Sequence, residues 1–354
     1  MLIYIVLLIF IIYLYYLFKV MKLSKANIVY TCIIGFLLFI VTILRHSSVG
    51  TDLPVYIRRF YEVSDSKFSQ LSYYNEFWGF EYGYLYFSKI ISTFLENERL
   101  LITIIGLIII YTFSVFIYKY SQMIWLSFFL FISLMFFGTS LNLLRLFIAI
   151  SICLYSIKYI INRRLGKFLI FVAVACLFHT TAVVFALLYP VSRIKISKAY
   201  ISLLLVFGIF IYLFGGNLLN NIISRLHYAR YASDIGSGDG TGMFILLILI
   251  LIAALIFKKM NIVQNDPYFH LWIHMILLSL LFNVFSFHLW IAARLMWYFK
   301  PAIFIILPNM FANIKNKSFL VYVSLSTAIF SLVYFYLVNR SDNAGVLPYM
   351  FFWN

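Results

Sequence analysis

Long apolar runs separated by short polar loops make up most of the chain. A helix needs roughly 20 apolar residues to cross the ~30 Å hydrocarbon core of a bilayer, and most of the runs approach that length. The pattern therefore predicts an all-α polytopic membrane protein with about 10 to 12 transmembrane helices, organised as one integral membrane domain over residues 1–354. The runs lie at about residues 1–18, 28–44, 82–95, 100–118, 123–138, 141–161, 168–189, 199–214, 242–257, 269–289, 295–311 and 318–337.

The distribution of lysine and arginine over the short loops leaves two membrane layouts open. Cytoplasmic loops are enriched in these residues. If every apolar run crosses, the basic loop 162–167 falls on the outer side, against that rule. In the second layout, 82–95 lies flat as an interfacial helix at the outer surface, and 168–189 is a broken, re-entrant element that turns near Phe178-His179. Every basic loop then lies inside.

Two sizeable loops, residues 45–99 and 215–241, hold most of the polar side chains that are not simple loop lysines. Both layouts place the polar parts of these loops on the outer side. Long loops in a compact protein are usually functional. The polar chemistry is therefore predicted to lie on the outer side of the membrane.

Composition excludes a soluble protein and favours an anionic partner. The chain is 65% hydrophobic and only 11% charged, with a net charge of +16. Because the positive charges are scattered over short loops, they indicate anionic lipid headgroups or a phosphorylated substrate and not nucleic acid. The cysteines Cys32, Cys153 and Cys176 lie in apolar runs without CxxC spacing, which is typical of packing residues.

Four arginines occupy unusual positions. Arg45, Arg145 and Arg294 lie at the ends of apolar runs or inside them, and Arg230 lies in a polar loop between two runs. A guanidinium at membrane depth costs roughly 2.5–3.5 kcal/mol on insertion scales. The same group fits phosphate or carboxylate in a bidentate fork. These arginines therefore indicate an anionic, lipid-linked substrate, and the alternative is that they snorkel to the interface.

Asn142 and Arg145 are three residues apart and are predicted to share one face of a helix. An arginine there should face the bundle interior and needs an anion. Tyr298 lies one turn beyond Arg294 on the same predicted face.

Asp52 and His179 are the two candidate proton acceptors. Asp52 follows the turn-forming Gly50 in an acid-poor chain and could act as a general base, or Thr51-Asp52 could simply cap the next helix. His179 is flanked by hydroxyl residues within an apolar run. It could be a base, a phosphate ligand or a hydrogen-bonded core residue.

No motif calls for a metal or another cofactor. His270 and His274 have metal-compatible i,i+4 spacing, but no Glu stands in the HExxH position. The glycine-rich segment 236–242 imitates a phosphate loop, yet no strand precedes it, so it reads as a flexible outer loop. We therefore predict neither a metal site nor a bound cofactor.

Six short motifs in order resemble the EpsG-like family, whose members include Wzy-type O-antigen and capsule repeat-unit polymerases. The resemblance covers about residues 45 to 350. Its motifs are Arg45 with Val49-Gly50-Thr51-Asp52 and Tyr56; Glu81-Tyr82-Gly83; Asn142 with Arg145 and Ile148-Ala149; Phe178-His179-Thr180-Thr181-Ala182; Arg294 with Tyr298; and Pro348-Tyr349.

The resemblance implies a glycosyltransferase of the bacterial inner membrane, with its active site facing the periplasm, that uses undecaprenyl-diphosphate-linked glycans as donor and acceptor. It implies that Arg145 and Arg294, assisted by Arg45, hold the diphosphate, and that Asp52 or His179 deprotonates the acceptor. By analogy it also supports the flat placement of 82–95. The substrate-binding residues expected from the same motifs and loops are His46, Tyr56, Arg58, Arg59, Glu81, Asn142, Arg230, Tyr298 and Tyr349.

Two other functions fit the same sequence features. A transporter or flippase for the lipid-linked glycan also needs many spans and buried arginines, although no internal repeat is visible. An O-antigen ligase-like transferase would use the same donor with a different acceptor. The expected partners are the lipid-linked glycan and the bilayer, and a chain-length regulator is expected only through the resemblance.

Overall fold

The chain is mostly helical over the residues that the computed structural model describes, which are 1–21, 25–223, 240–260, 266–340 and 345–353. Within those ranges, the one β feature is an isolated antiparallel bridge between Arg45 and Phe351. The predicted all-α class is confirmed. The helices are α1 Leu2–Met21, α2 Ala26–Ile43, α3 Leu53–Asp65, α4 Leu71–Trp78, α5 Tyr82–Phe94, α6 Glu98–Tyr120, α7 Ile124–Ser133, α8 Phe136–Asn142, α9 Leu144–Ile161, α10 Leu165–Cys176, α11 Leu188–Val191, α12 Lys198–Ile223, α13 Thr241–Lys259, α14 Phe269–Phe285, α15 Ala293–Met296, α16 Ile303–Ala312 and α17 Lys317–Arg340.

The helices form two compact units. The first contains Met1–Tyr155, Leu177–His179 and Ile314–Asn354, and the second contains Ser156–Cys176 and Thr180–Asn313. In the first unit α2 packs along α6, α7 packs against α1 and α17, and α3 and α4 pack on α5. In the second unit α14 is central and contacts α12, α13, α15 and α16. Their organisation as one integral domain stays a prediction.

Seven of the described helices are long and apolar enough to cross a membrane: α1, α2, α6, α9, α12, α13 and α17, with α12 counted over Lys198–Asn217. Two bent pairs raise the number to nine if each pair is one span. They are α7 with α8, bent by 53°, and Trp290–Met296 with Lys300–Ala312, bent by 54°. The predicted range of about 10 to 12 spans is reached only if some of the shorter apolar helices, at Leu165–Cys176, Thr180–Val191 and Phe269–Phe285, also enter the bilayer.

The backbone is interrupted on both sides of α8, and the second interruption separates Asn142 from Arg145. Met135 has φ of 62°, a left-handed conformation that ends the α7 segment, and α8 begins at the next residue. Leu143 then separates α8 from α9. The prediction that Asn142 and Arg145 share one helix face is therefore wrong, because Asn142 ends α8 and Arg145 lies in the first turn of α9.

The predicted loop 45–99 is largely helical, since it contains α3, α4 and α5. The α5 helix has 13 residues, so at 1.5 Å per residue it is about 20 Å long, too short to cross a bilayer. One face is exposed and carries Tyr82, Tyr86, Ile90 and Phe94 at i,i+4 intervals. A short helix is thus present where the interfacial helix 82–95 was predicted, and its place on the membrane surface stays a prediction.

The apolar run 168–189 is a helical hairpin. The α10 helix stops at Cys176, and a 3-10 helix runs over Thr180–Leu187 before α11. The rings of Phe168 and Tyr189, one in each arm, lie 5.6 Å apart. In a straight helix these residues would be about 30 Å apart, so the chain reverses between the arms. The predicted break near Phe178-His179 is confirmed.

The hairpin constrains the loops at its two ends. Each arm has 12 residues. At 1.5 Å per residue α10 is about 18 Å long, and at about 2.0 Å per residue over its 3-10 part the second arm is about 22 Å long, so both are shorter than the ~30 Å core. The ends also lie close together, since Arg193 Nη2 donates to the Ile160 carbonyl at 3.5 Å. The basic segments before and after the hairpin should therefore lie on the same side of the membrane.

This layout predicts matched labelling of cysteines placed at the two ends of the hairpin. In a background with Cys32, Cys153 and Cys176 replaced, Asn162→Cys and Lys195→Cys are both exposed positions. An impermeant maleimide should label both from the same side when intact cells are compared with inverted vesicles. Labelling from opposite sides would contradict the hairpin.

Candidate functional site

A buried carboxylate, Glu81, joins an arginine and a histidine in the first unit. Gly79, with φ of 66°, ends α4, and Glu81 stands two residues later as the N-cap of α5. Its side chain is 8% exposed. Oε2 accepts a hydrogen bond from Arg145 Nη1, and Oε1 lies 3.0 Å from His179 Nδ1. Three segments distant in sequence therefore meet at one carboxyl group.

The Arg145 guanidinium is held by aromatic rings as well as by Glu81. Its Cζ lies 3.9 Å from the ring centroid of Phe80 and 5.9 Å from that of Tyr56. Nη1 also donates to the Gly79 carbonyl at 3.4 Å. Nε is buried and has no hydrogen-bond partner among the described residues. These contacts hold the Arg145 guanidinium in place and leave its Nε–H group as an unused hydrogen-bond donor among the described residues.

A close backbone approach brings His179 to Glu81. A Cβ atom on Gly83 would lie 2.6 Å from the Leu177 carbonyl oxygen, which is closer than real Cβ contacts allow. Phe178 packs edge-on against Phe87, with ring centroids 5.9 Å apart. Glycine at position 83 therefore permits α5 to receive the tip residues Leu177–His179.

The partners of Glu81 keep it ionised. Burial acts to raise the pKa of Glu81, but the His179 hydrogen bond and the Arg145 charge outweigh burial and lower the pKa to about 2. An ionised carboxylate can only accept hydrogen bonds, so His179 Nδ1 must be the donor. In a neutral ring the proton-accepting nitrogen is then Nε2.

Asp52 is attached to the α8–α9 junction through its backbone. Asn142 Oδ1 accepts from Asp52 N at 2.7 Å and from Thr51 Oγ1 at 3.3 Å. The preceding Gly50 has φ of 107° and lies against the Leu141 carbonyl, a position that suits only glycine. The Asp52 carboxylate is partly exposed, and it forms no cap hydrogen bond and no ion pair within the described part of the chain.

Arg45 is the most buried of the predicted site arginines that the structure describes, with 1% of its surface exposed. Burial lowers its pKa to about 10. Nε and Nη1 have no hydrogen-bond partner among the described residues, and the Arg45 carbonyl accepts from Arg99 Nη1 at 2.6 Å. Tyr349 donates to the Val41 carbonyl at 2.6 Å, so it fastens the C-terminal segment beside Arg45.

Three other predicted residues of the first unit lie in local surface contacts. His46 Nδ1 is 2.9 Å from Ser48 Oγ. Arg59 pairs with Glu62 at 2.6 Å, and Arg58 lies 3.8 Å from the same carboxylate. None of these contacts involves Glu81, Arg145 or His179, which together are called the Glu81 cluster below.

The remaining predicted residues lie outside the first unit. Arg294, in α15, lies with its Cζ 5.9 Å from the Trp290 ring and forms no ion pair with a described residue. Tyr298 is buried, and its hydroxyl is 3.1 Å from Thr181 Oγ1. Arg230 lies outside the described residues.

The sequence predicted Glu81 as a substrate-binding residue and did not indicate that its carboxylate contacts both Arg145 and His179. The signal was available in the charge balance. The chain has 27 lysines and arginines but only 11 acidic residues, so an acidic residue at the edge of an apolar run is a natural partner for a buried arginine. What the sequence lacked was any indication that His179 folds back to the same carboxylate.

Comparison with known protein families shows the family to which the chain belongs. The family model described as the EpsG family matches residues 27–351, which includes every member of the Glu81 cluster and confirms the resemblance seen in the motifs. No curated protein matches the chain, and no solved structure matches it.

The Asn142 amide should contribute to stability through the Asp52 segment. Asn142→Ala removes the buried acceptor of the Asp52 N–H, and a lost buried partner costs about 1–3 kcal/mol. We expect a lower melting temperature of the detergent-solubilised protein, whereas the exposed control Asn162→Ala should melt like the wild type. Equal melting of the two variants would show that Asn142 does not hold this segment.

Proposed function

The chain belongs to the EpsG family, and we propose that it joins undecaprenyl-diphosphate-linked oligosaccharide repeats into O-antigen or capsular polysaccharide. Family membership and the apolar helices make it a multi-pass membrane protein of polysaccharide biosynthesis. The proposed activity is glycosyl transfer at the periplasmic face of the inner membrane, from a polyprenyl-diphosphate donor to a lipid-linked acceptor.

The observation that carries this proposal is the grouping of an arginine and two candidate bases in the first unit. Arg145 retains a buried Nε donor beyond its contact with Glu81. Asp52 is tied to Asn142, at the end of the helix that precedes α9. His179 shares the carboxylate that holds Arg145. Transfer from a diphosphate needs both an anion-stabilising group and a proton acceptor.

The proposed step exchanges one bond for another. A hydroxyl oxygen of the acceptor sugar attacks the anomeric carbon of the donor, and the bond from that carbon to the diphosphate oxygen breaks. The hydroxyl proton passes to the base, and undecaprenyl diphosphate leaves with the bonding electrons. Arg145 and Arg294, with Arg45 assisting, stabilise the negative charge that develops on the leaving group.

Asp52 and His179 fit the base role in different ways. Asp52 offers a partly exposed carboxylate with no ion pair to another described side chain. His179 is buried, but its Nδ1 is fixed by an ionised carboxylate, as in a catalytic triad. The two assignments predict different mutant behaviour.

Replacing the base should remove polymer while leaving the protein in place. If Asp52 is the base, Asp52→Asn should lower polymerisation by about 10²–10⁴-fold, and the exposed Asp65→Asn, at the other end of α3, should not. The readout is the glycan ladder of cells with equal protein levels. A normal ladder from Asp52→Asn would exclude Asp52 and leave His179.

Removing an anion-binding arginine should have a comparable effect. We expect Arg145→Ala and Arg294→Ala to abolish long chains, since loss of one donor to a developing oxyanion costs about 10²–10³-fold. The exposed Arg340→Ala is the matched control.

The pattern on the gel also separates the candidate functions. Loss of a polymerase leaves a single repeat on the lipid A core, whereas loss of a ligase leaves no repeat there. Long chains in both arginine variants, at normal protein levels, would contradict the proposal.

A further inference from the structure

We propose that Glu81 is a positioning residue that couples Arg145 to His179 through its two carboxylate oxygens, and that His179 is thereby made the base of the transfer reaction. This inference rests on the proposed polymerase function. Glu81 then acts through its two neighbours and is not itself a substrate-binding residue. The anion-binding arginine, Arg145, and the base, His179, are then linked through one carboxylate.

The geometry divides the Glu81 carboxylate between its partners. Oε2 faces Arg145 Nη1, and Oε1 faces His179 Nδ1 at 3.0 Å. The side chains of Glu81, Arg145 and His179 are only 8%, 12% and 6% exposed. Each oxygen has its own partner, so the carboxylate cannot turn without losing one of the two contacts.

Stability alone does not account for this arrangement. A buried ion pair gains little over well-packed apolar residues of the same volume, because desolvation offsets the Coulomb attraction. Here a buried imidazole is added to the ion pair. Apolar side chains at positions 81, 145 and 179 could fill the same space at lower electrostatic cost, which favours a chemical role for the charges.

The cluster fixes the protonation pattern that a base requires. The Arg145 charge helps keep Glu81 ionised, and the ionised carboxylate holds the proton on His179 Nδ1. A neighbouring negative charge also makes the imidazole more basic. Among the described residues, the phenols of Tyr56 and Tyr84 also act on Arg145, and they carry no charge near neutral pH.

Gly83 provides an independent sign that the His179 contact is built into the chain. Any side chain at position 83 would collide with the Leu177 backbone, two residues before His179. The approach that delivers His179 to Glu81 therefore depends on a glycine two residues after Glu81. Gly83→Ala should displace the tip residues and break the His179 contact while leaving Glu81 and Arg145 paired.

The two partners of Glu81 predict separable kinetic defects. Glu81→Gln disturbs both partners, so it should lower kcat and raise KM. His179→Gln and Gly83→Ala disturb the base only, so they should lower kcat by about 10²–10⁴-fold with little change in KM. The exposed Glu76→Gln and His270→Gln are matched controls for the charge and for the imidazole.

The experiment is a pH profile of polymerisation by the full-length protein reconstituted in vesicles with a defined undecaprenyl-diphosphate-linked repeat. A base must be neutral, so activity should fall as pH drops through the pKa of His179. Removing the Glu81 charge lowers that pKa. The acid limb of Glu81→Gln should therefore move to lower pH, by about 1–3 units. If Glu81 had a purely structural role, Glu81→Gln would lower the polymerisation rate at every pH without moving the acid limb of the pH profile.

A double-mutant comparison completes the test. If Glu81 acts through His179, the loss of kcat in the Glu81→Gln/His179→Gln variant should be smaller than the product of the two single losses, because the effects of coupled residues do not add. Additive losses, an unmoved acid limb or wild-type activity of His179→Gln would overturn the inference. If Glu81→Gln does not fold, Gly83→Ala decides, since a wild-type kcat there would equally overturn it.

The outcome for the wild type separates this inference from the proposed function. If the wild-type protein makes no polymer from the lipid-linked repeat, the polymerase proposal fails and the inference falls with it. If the wild type makes polymer but the Glu81 variants behave additively, only the coupling through Glu81 is wrong.

Discussion

The ionised carboxylate of Glu81 is the interaction on which the candidate site depends. It neutralises Arg145, whose guanidinium would otherwise be costly to bury, and it orients His179. The cost of desolvating these groups is offset only while the contacts are made together. Disrupting one contact leaves a buried charge behind. The integrity of the site therefore requires three distant segments to be placed accurately.

Interruptions in the helices provide that placement. Glu81 follows the left-handed Gly79 between α4 and α5, Arg145 follows the break at Leu143, and His179 follows the end of α10. At such ends the backbone leaves the helical path, so side chains and amides reach neighbours that a continuous helix would not present. The Asp52 amide bonds to Asn142 at another of these ends. Irregular backbone at membrane depth is tolerated where protein buries it.

The sequence predicted the long helices well, but it predicted the points where helices are interrupted less well. Apolar runs identify long helices because bilayer thickness sets their length, and the conflict between loop charges and topology correctly placed a turn near His179. The break at Leu143 was missed, because an apolar run shows no change in periodicity there. Arg145 and His179 were recognisable as costly residues in apolar surroundings. Their common partner was not, since sequence spacing says nothing about which distant segments meet.

The central claim is that this site transfers a glycan from a polyprenyl diphosphate. Counting the products of the purified full-length protein in vesicles, supplied with one defined lipid-linked repeat, tests it most directly. The account predicts oligomers of increasing length and one undecaprenyl diphosphate released for each new glycosidic bond. Unchanged single repeats with no released diphosphate, or repeats that move across the bilayer without being joined, would contradict it.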